Sequence, residues 1–219
     1  MKKKAKTHFC MAGCLLAAFV LWTALLRFVD VQAIGPQGST VGFAAMNRFV
    51  HNLTGVHMGL YTVTDWLGLV PPVFVMGFAC LGLVQWIRRK KLLRVDFSIL
   101  VLGGFYLVVM AGFFFFEEFV VNYRPVLIDG VLEASYPSST TLLVLCVMPT
   151  AILQLRDRIK SPSLKRGVTY ILTAFIAFMV IGRLISGVHW LTDIIGGVLL
   201  SGGLVMLYHS LVQLERTKT

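Results

Sequence analysis

Six long apolar stretches, set apart by short polar ones, dominate the chain. They run roughly over residues 9–29, 62–87, 97–119, 138–155, 168–186 and 189–212. A helix that crosses a bilayer needs about 20 mostly apolar residues, so each stretch predicts a spanning helix. The fourth and fifth are short and are expected to extend into their polar flanks. The polar segment from Asp30 to His57 contains Gly35-Pro36 and Gly38, and reads as a loop with a short interfacial helix. Asp65 and Trp66 are read as opening the second span, in the position of an interface anchor. No repeat, low-complexity tract or long linker divides the sequence. The expected fold class is all-α: one polytopic membrane domain, residues 1–219, with six transmembrane helices.

Composition agrees and excludes a soluble domain. Hydrophobic residues make up 57% of the 219, charged residues 14%, and the mean hydropathy is +0.81. The net charge of +10 is distributed unevenly. Lys2, Lys3, Lys4 and Lys6 precede the first span. Arg88, Arg89, Lys90, Lys91 and Arg94 separate the second and third. Arg156, Arg158, Lys160, Lys165 and Arg166 separate the fourth and fifth, and Arg216 and Lys218 close the chain. Only Arg27, Arg48, Arg124 and Arg183 lie elsewhere. The positive-inside rule therefore puts both termini in the cytoplasm and makes the cytoplasmic membrane the expected location. The charge signals topology and anionic-lipid contact, not nucleic-acid binding, because no basic cluster is interleaved with aromatics on a soluble surface. The Lys-rich start and apolar core resemble a signal peptide, but no small-residue cleavage site follows, so the first span is read as uncleaved. Cys10, Cys14, Cys80 and Cys146 lack metal-ligand spacing and are read as small buried hydrophobes.

Chemistry concentrates on the other face. That face receives segments 30–60, 120–137 and the turn 186–189. His189 and Asp193 are four residues apart and share a face if helical. An Asp so placed can hold one imidazole nitrogen and aim the other. Arg183 and Arg124 offer planar forks of donors suited to phosphate. Pro137 followed by Ser138, Ser139, Thr140 and Thr141 reads as a helix start whose free N–H groups and hydroxyls would receive an anion. Taken singly, these hydroxyls suit ordinary capping and the His–Asp pair suits an interface. Their convergence describes a phosphate site at the non-cytoplasmic interface.

These residues resemble the motifs of the type 2 phosphatidate phosphatases and their haloperoxidase relatives. That family carries K-x6-R-P, P-S-G-H and S-R-x5-H-x3-D, in order, on a six-helix membrane core. The corresponding runs here are Glu117-x6-Arg124-Pro125, Pro137-Ser138-Ser139-Thr140 and Gly182-Arg183-x5-His189-x3-Asp193, within a core spanning residues 60–212. The resemblance implies a phosphoric ester hydrolase acting on a membrane lipid phosphate or diphosphate, with neither metal nor cofactor. It makes His189 the nucleophile that forms a phosphohistidine and Asp193 its orienter. Arg124, Arg183 and Ser138, with Ser139 and Thr140 beside it, become the phosphate ligands.

The departures bear on mechanism. Glu117 stands at the family's Lys, Ser139 at its Gly and Gly182 at its Ser. Thr140 stands at the His that protonates the leaving group, a role typically worth 10²- to 10⁴-fold. Glu117 and Glu118 are the candidate substitute acids, and an ion pair of one of them with Arg124 is the simpler alternative. A Glu in place of Lys also favours an ammonium headgroup, which suggests a phosphodiester hydrolase or phosphotransferase resembling the sphingomyelin synthases. A catalytically silent lipid-binding relative is the third expectation, disfavoured by the retained His–Asp pair.

Overall fold

A computed structural model describes residues 2–215. The C-terminal cations Arg216 and Lys218, and the side chains of Lys2, Lys3 and Lys4, lie outside the described residues. The helices are α1 (Lys2–Leu25), α2 (Ala44–Thr54), α3 (Met58–Leu67), α4 (Val70–Arg89), α5 (Phe97–Glu118), α6 (Ser139–Arg158), α7 (Pro162–Ile185) and α8 (Leu191–Glu215). Among the described residues β-structure is limited to three isolated bridges.

Among the described residues, six spans are long and apolar enough to cross a membrane, α3 and α4 together forming the second. The second span begins at Met58, about one helical turn earlier than the sequence suggested, so Asp65 lies within it instead of opening it. Gly68 and Leu69 interrupt it. Pro71 and Pro72 follow within the first turn of α4, where a missing N–H leaves no helical bond unmade. The fourth and fifth spans do extend into polar flanks, to Arg158 and from Pro162. Ser161 fixes the latter start: its hydroxyl accepts from Leu164 N at 3.4 Å, with Pro162 following as the first helical residue.

Inside lipid, burial of apolar surface no longer drives helices together; close packing does. The face of α8 is built for it. A Cβ added at Gly203 would sit 2.7 Å from Leu16 Cγ of α1, and one at Gly197 would sit 3.1 Å from the Thr141 side chain of α6. Helix α6 is central, with more than half of its span buried, and Leu142, Val144, Val147 and Met148 pack against Leu102, Phe105, Met179 and Tyr208. Large apolar side chains such as Val20, Met76, Leu107 and Ile171 face outward, as lipid contact requires. Cys10, Cys14 and Cys80 are also exposed, and only Cys146 is buried. Three of the four cysteines therefore line the lipid-facing surface, correcting the sequence reading.

An even number of spans puts both chain ends at one end of the bundle, where the rings of His8 and His209 meet with centroids 5.1 Å apart. The opposite end carries the loops 26–43, 119–138 and 186–190. There α2 is the expected short interfacial helix: Ala44 and Asn47 are buried, while Phe49 and Leu53, one turn apart, are exposed. Asn47 pins α2 to the start of α8. Its amide donates to Thr192 Oγ1 at 3.0 Å and its carbonyl accepts from Thr192 N at 3.2 Å.

Candidate active site

Asp193 sits in the first turn of α8, and its carboxylate serves that helix first. Oδ2 accepts from Trp190 N at 2.9 Å, the reach-back of a capping box. Oδ1 accepts from Asn122 Nδ2 at 3.1 Å. The carboxylate thus caps α8 and is tied to the 119–138 loop as well. Asp193 Oδ2 lies 3.9 Å from His189 Nδ1, beyond hydrogen-bond reach. Ser135 fills the gap. Its hydroxyl donates to Asp193 Oδ2 at 2.5 Å and lies 3.0 Å from His189 Nδ1.

This order assigns the imidazole protons. Because the serine hydroxyl proton goes to the carboxylate, Nδ1 must donate to the serine oxygen. Nε2 then carries the lone pair, facing Arg124 Nη1 at 3.5 Å. Burial above all, aided by the charges of Arg124 and Arg183, lowers the His189 pKa to about 4 against the pull of Asp193. At neutral pH the ring is therefore uncharged, with its free nitrogen facing a guanidinium.

Two arginines act electrostatically on that ring. Arg183 is buried on the last turn of α7, with Asp65 Oδ1 at 3.6 Å and Thr64 Oγ1 at 3.5 Å from its Nη1. Arg124 Nε lies 3.0 Å from Glu133 Oε2, off the N–H direction, so the contact is an ion pair without a hydrogen bond. Tyr61 lies near both, its ring centroid 5.0 Å from Arg183 Cζ and 5.9 Å from Arg124 Cζ, so the two guanidinium charges are held close together, each with one carboxylate partner. Buried donors remain unspent as well: Arg124 Nε, Arg183 Nε and Ser138 Oγ have no hydrogen-bond partner. Such orphans are costly, which makes this cluster a candidate ligand site.

Ser138 is fully buried and precedes α6, with its N–H donating to Asp193 O at 3.1 Å. Ser139 is half-buried and lines a small crevice with Glu117 and Tyr136. Thr140 is buried as well. Its methyl lies 3.6 Å from where a Cβ on Gly68 would stand, so it packs on the α3–α4 break. Gly182 has a local reason: a Cβ there would meet Thr64 Cγ2 at 2.8 Å, and Thr64 supports Arg183. Gly187 has φ +68°, and a Cβ would lie 2.0 Å from Gly55 O. The turn carrying His189 thus presses against the end of α2 in a way only glycine allows.

Glu117 lines a cavity of ≈ 650 Å³ with Tyr123, Arg124 and Glu133. Glu118, its neighbour on α5, is exposed and lines neither cavity. The carboxylate paired with Arg124 is Glu133 and not either of these, which corrects the ion-pair alternative. Ser135, Asn122, Glu133, Tyr61, Thr64 and Asp65 were not identified as parts of this site from sequence. Ser135 and Asn122 each lie two residues from a motif position, a usable signal. The α3 residues meet Arg183 only through the fold.

The scaffold and this polar end together define an all-helical integral membrane protein. The sequence matches the PAP2 superfamily over residues 72–216, two thirds of the chain, and this protein belongs to that family. Its fold is similar to the crystal structure of the first transmembrane PAP2 type phosphatidylglycerolphosphate phosphatase from Bacillus subtilis. The TM-score is 0.61 at 20% identity, covering 92% of this chain and 96% of that one, a likeness of fold. Comparison with curated protein sequences finds no match.

Proposed function

We propose that this protein is a membrane lipid phosphatase that removes phosphate from a lipid phosphate or diphosphate at the non-cytoplasmic face, through a phosphohistidine on His189. The observation that carries this reading is the neutral, buried His189, anchored through Ser135 to Asp193, with Nε2 beside Arg124. In the first step Nε2 attacks phosphorus, the bond to the leaving oxygen breaks, and that oxygen takes up a proton. The imidazole becomes positive, and Asp193 stabilises it through the serine. Arg124, Arg183 and the Ser138 hydroxyl neutralise the phosphoryl oxygens as charge builds. Water then cleaves the N–P bond, releasing inorganic phosphate and restoring the neutral ring. The basic loops support the orientation in which the termini are cytoplasmic and this end of the bundle faces outside.

Thr140 supplies no acid, so a good leaving group, such as the phosphate of a diphosphate, suits the site best. Glu117, in the cavity beside Arg124, is the candidate proton donor for poorer ones. A second reading has one specific support. Glu117 and Glu133 both line that cavity, and two carboxylates there favour a cationic headgroup, hence a phosphodiester hydrolase or headgroup transferase.

The deciding experiment is a lipid panel on purified protein, following phosphate release and headgroup transfer together. Phosphate release from monoester or diphosphate lipids that disappears in His189→Ala is expected. Headgroup transfer without phosphate release would replace the first reading by the second. Combining Glu117→Lys with Thr140→His should raise monoester turnover by about 10²-fold or more, the range of a general acid. Unchanged turnover in that double variant removes the leaving-group explanation.

A further inference from the structure

The other end of the molecule holds a second cavity that the reaction does not use. Between α4 and α5 lies a membrane-facing groove of ≈ 480 Å³, within the range of small-molecule pockets. Its walls include Ala79, Gly82 and Trp86 from α4, and Leu102, Gly103 and Tyr106 from α5. Gly103 leaves its wall open, since a Cβ there would meet nothing within 4 Å, whereas at Gly82 the helices touch, a Cβ there lying 3.1 Å from Ile99 Cγ2. The Tyr106 hydroxyl is turned inward to Thr150 Oγ1 at 3.1 Å, which leaves the wall apolar. The groove ends at Trp86, Leu92 and Val95, and these flank the most basic turn of the chain.

That turn has a fixed shape and unspent charge. Lys90 caps α4 in the left-handed region, at φ 56°. Arg89 ties the turn down by bonding Asp96 Oδ1 at 2.9 Å and the Arg94 carbonyl. Arg88, Lys90, Lys91 and Arg94 make no ion pair or side-chain hydrogen bond among the described residues. Asp96, the acidic group closest in sequence to the turn, is already shared by Gln85, Arg89 and Arg158. Four unpaired cations therefore stand on the turn between Trp86 and Val95, which line the apolar slot. Orientation in the membrane needs the charges but not the slot.

We propose that the α4–α5 groove and the turn 88–94 form a binding site for one anionic phospholipid. An acyl chain lies along Gly82 and Gly103, and the phosphate is held by Arg88, Lys90, Lys91 and Arg94. The complementarity is of both kinds the ligand needs: an apolar slot for the chain and cations for the headgroup.

The test is native mass spectrometry and thermal unfolding of the full-length protein, with dioleoyl phosphatidylglycerol or dioleoyl phosphatidylcholine added. Expected is one retained phosphatidylglycerol and a melting temperature raised by several degrees, with neither effect from phosphatidylcholine. Gly103→Phe, which fills the slot, and the quadruple change R88Q/K90Q/K91Q/R94Q should each abolish retention. Arg124→Ala should keep it, which separates this site from the phosphate site. Glycerol phosphate, which has no chain, should not bind. Equal retention of the two lipids, or retention unchanged in the quadruple variant, overturns the proposal. Should Gly103→Phe fail to fold, the quadruple variant and the chainless headgroup decide it alone.

Discussion

Two polar clusters sit at opposite ends of the bundle, and they differ in what they leave undone. At the terminal end the Asp96 carboxylate accepts from Gln85 at 2.8 Å and Arg89 at 2.9 Å, with Arg158 at 3.5 Å. Gln154 donates to Tyr208 Oη and accepts from Arg158. Its partners are all protein groups, and the cluster closes on itself. At the opposite end Asp193 is equally saturated, by Trp190 N, Asn122 and Ser135. Around it, however, Ser138 Oγ and the Nε atoms of both arginines are buried without hydrogen-bond partners. Buried polar groups that are all satisfied hold a fold together; buried donors left unsatisfied near a titratable ring mark a candidate ligand site.

The contrast is broken most severely at His189. His189→Ala should reduce phosphate release to background, a loss of roughly 10⁴- to 10⁶-fold, and no ³²P should be trapped on the protein after acid-free quenching. Asp193→Asn should cost up to about 10⁴-fold and should also loosen the start of α8, seen as a lower melting temperature. Normal turnover in His189→Ala would end the phosphohistidine mechanism.

Next come the arginines. Arg124→Ala and Arg183→Ala should each lower kcat/KM by about 10²- to 10³-fold, the usual cost of losing a preorganised charge-stabilising donor. Orthovanadate, a phosphate mimic, should protect the wild type against thermal unfolding and neither variant. Protection that persists in both would show that the unspent donors are not an anion site.

Ser135→Ala removes the link between imidazole and carboxylate and should cost about 10- to 100-fold in kcat, equivalent to about 1–3 kcal/mol for an orphaned buried bond. A pH profile separates positioning from packing. In the wild type the acid limb of kcat/KM should lie near 4, where His189 protonates, and not near 6.5. Stability follows the same sign. The unfolded His takes its proton at about 6.5 and the folded one only near 4, so stability falls as pH drops through that window. Ser135→Ala should move the limb, whereas a packing defect would leave it in place.

The smallest effect is expected at the closed cluster. Gln154→Ala should destabilise by about 1–3 kcal/mol with kcat unchanged. A large kcat loss with normal stability would mean that the two ends are coupled and the comparison fails.

The apolar stretches and the basic loops determined six spans and one polar face by themselves, because length and charge asymmetry are local properties that lipid reads directly. Four-residue spacing likewise put His189 and Asp193 on one turn, and motif order brought Arg124, Ser138 and Arg183 into consideration together. Tertiary structure decided the rest. A hydroxyl from the loop before α6 enters between His189 and Asp193, and the partner of Arg124 proves to be Glu133 across a hairpin, not Glu117 on the preceding helix. Arg183 finds Thr64 and Asp65, over a hundred residues away. Nothing local signals such contacts. They exist because small residues on α8 let α1 and α6 close against it, and because Gly182 and Gly187 admit α3 and the end of α2 to the turn that carries the histidine.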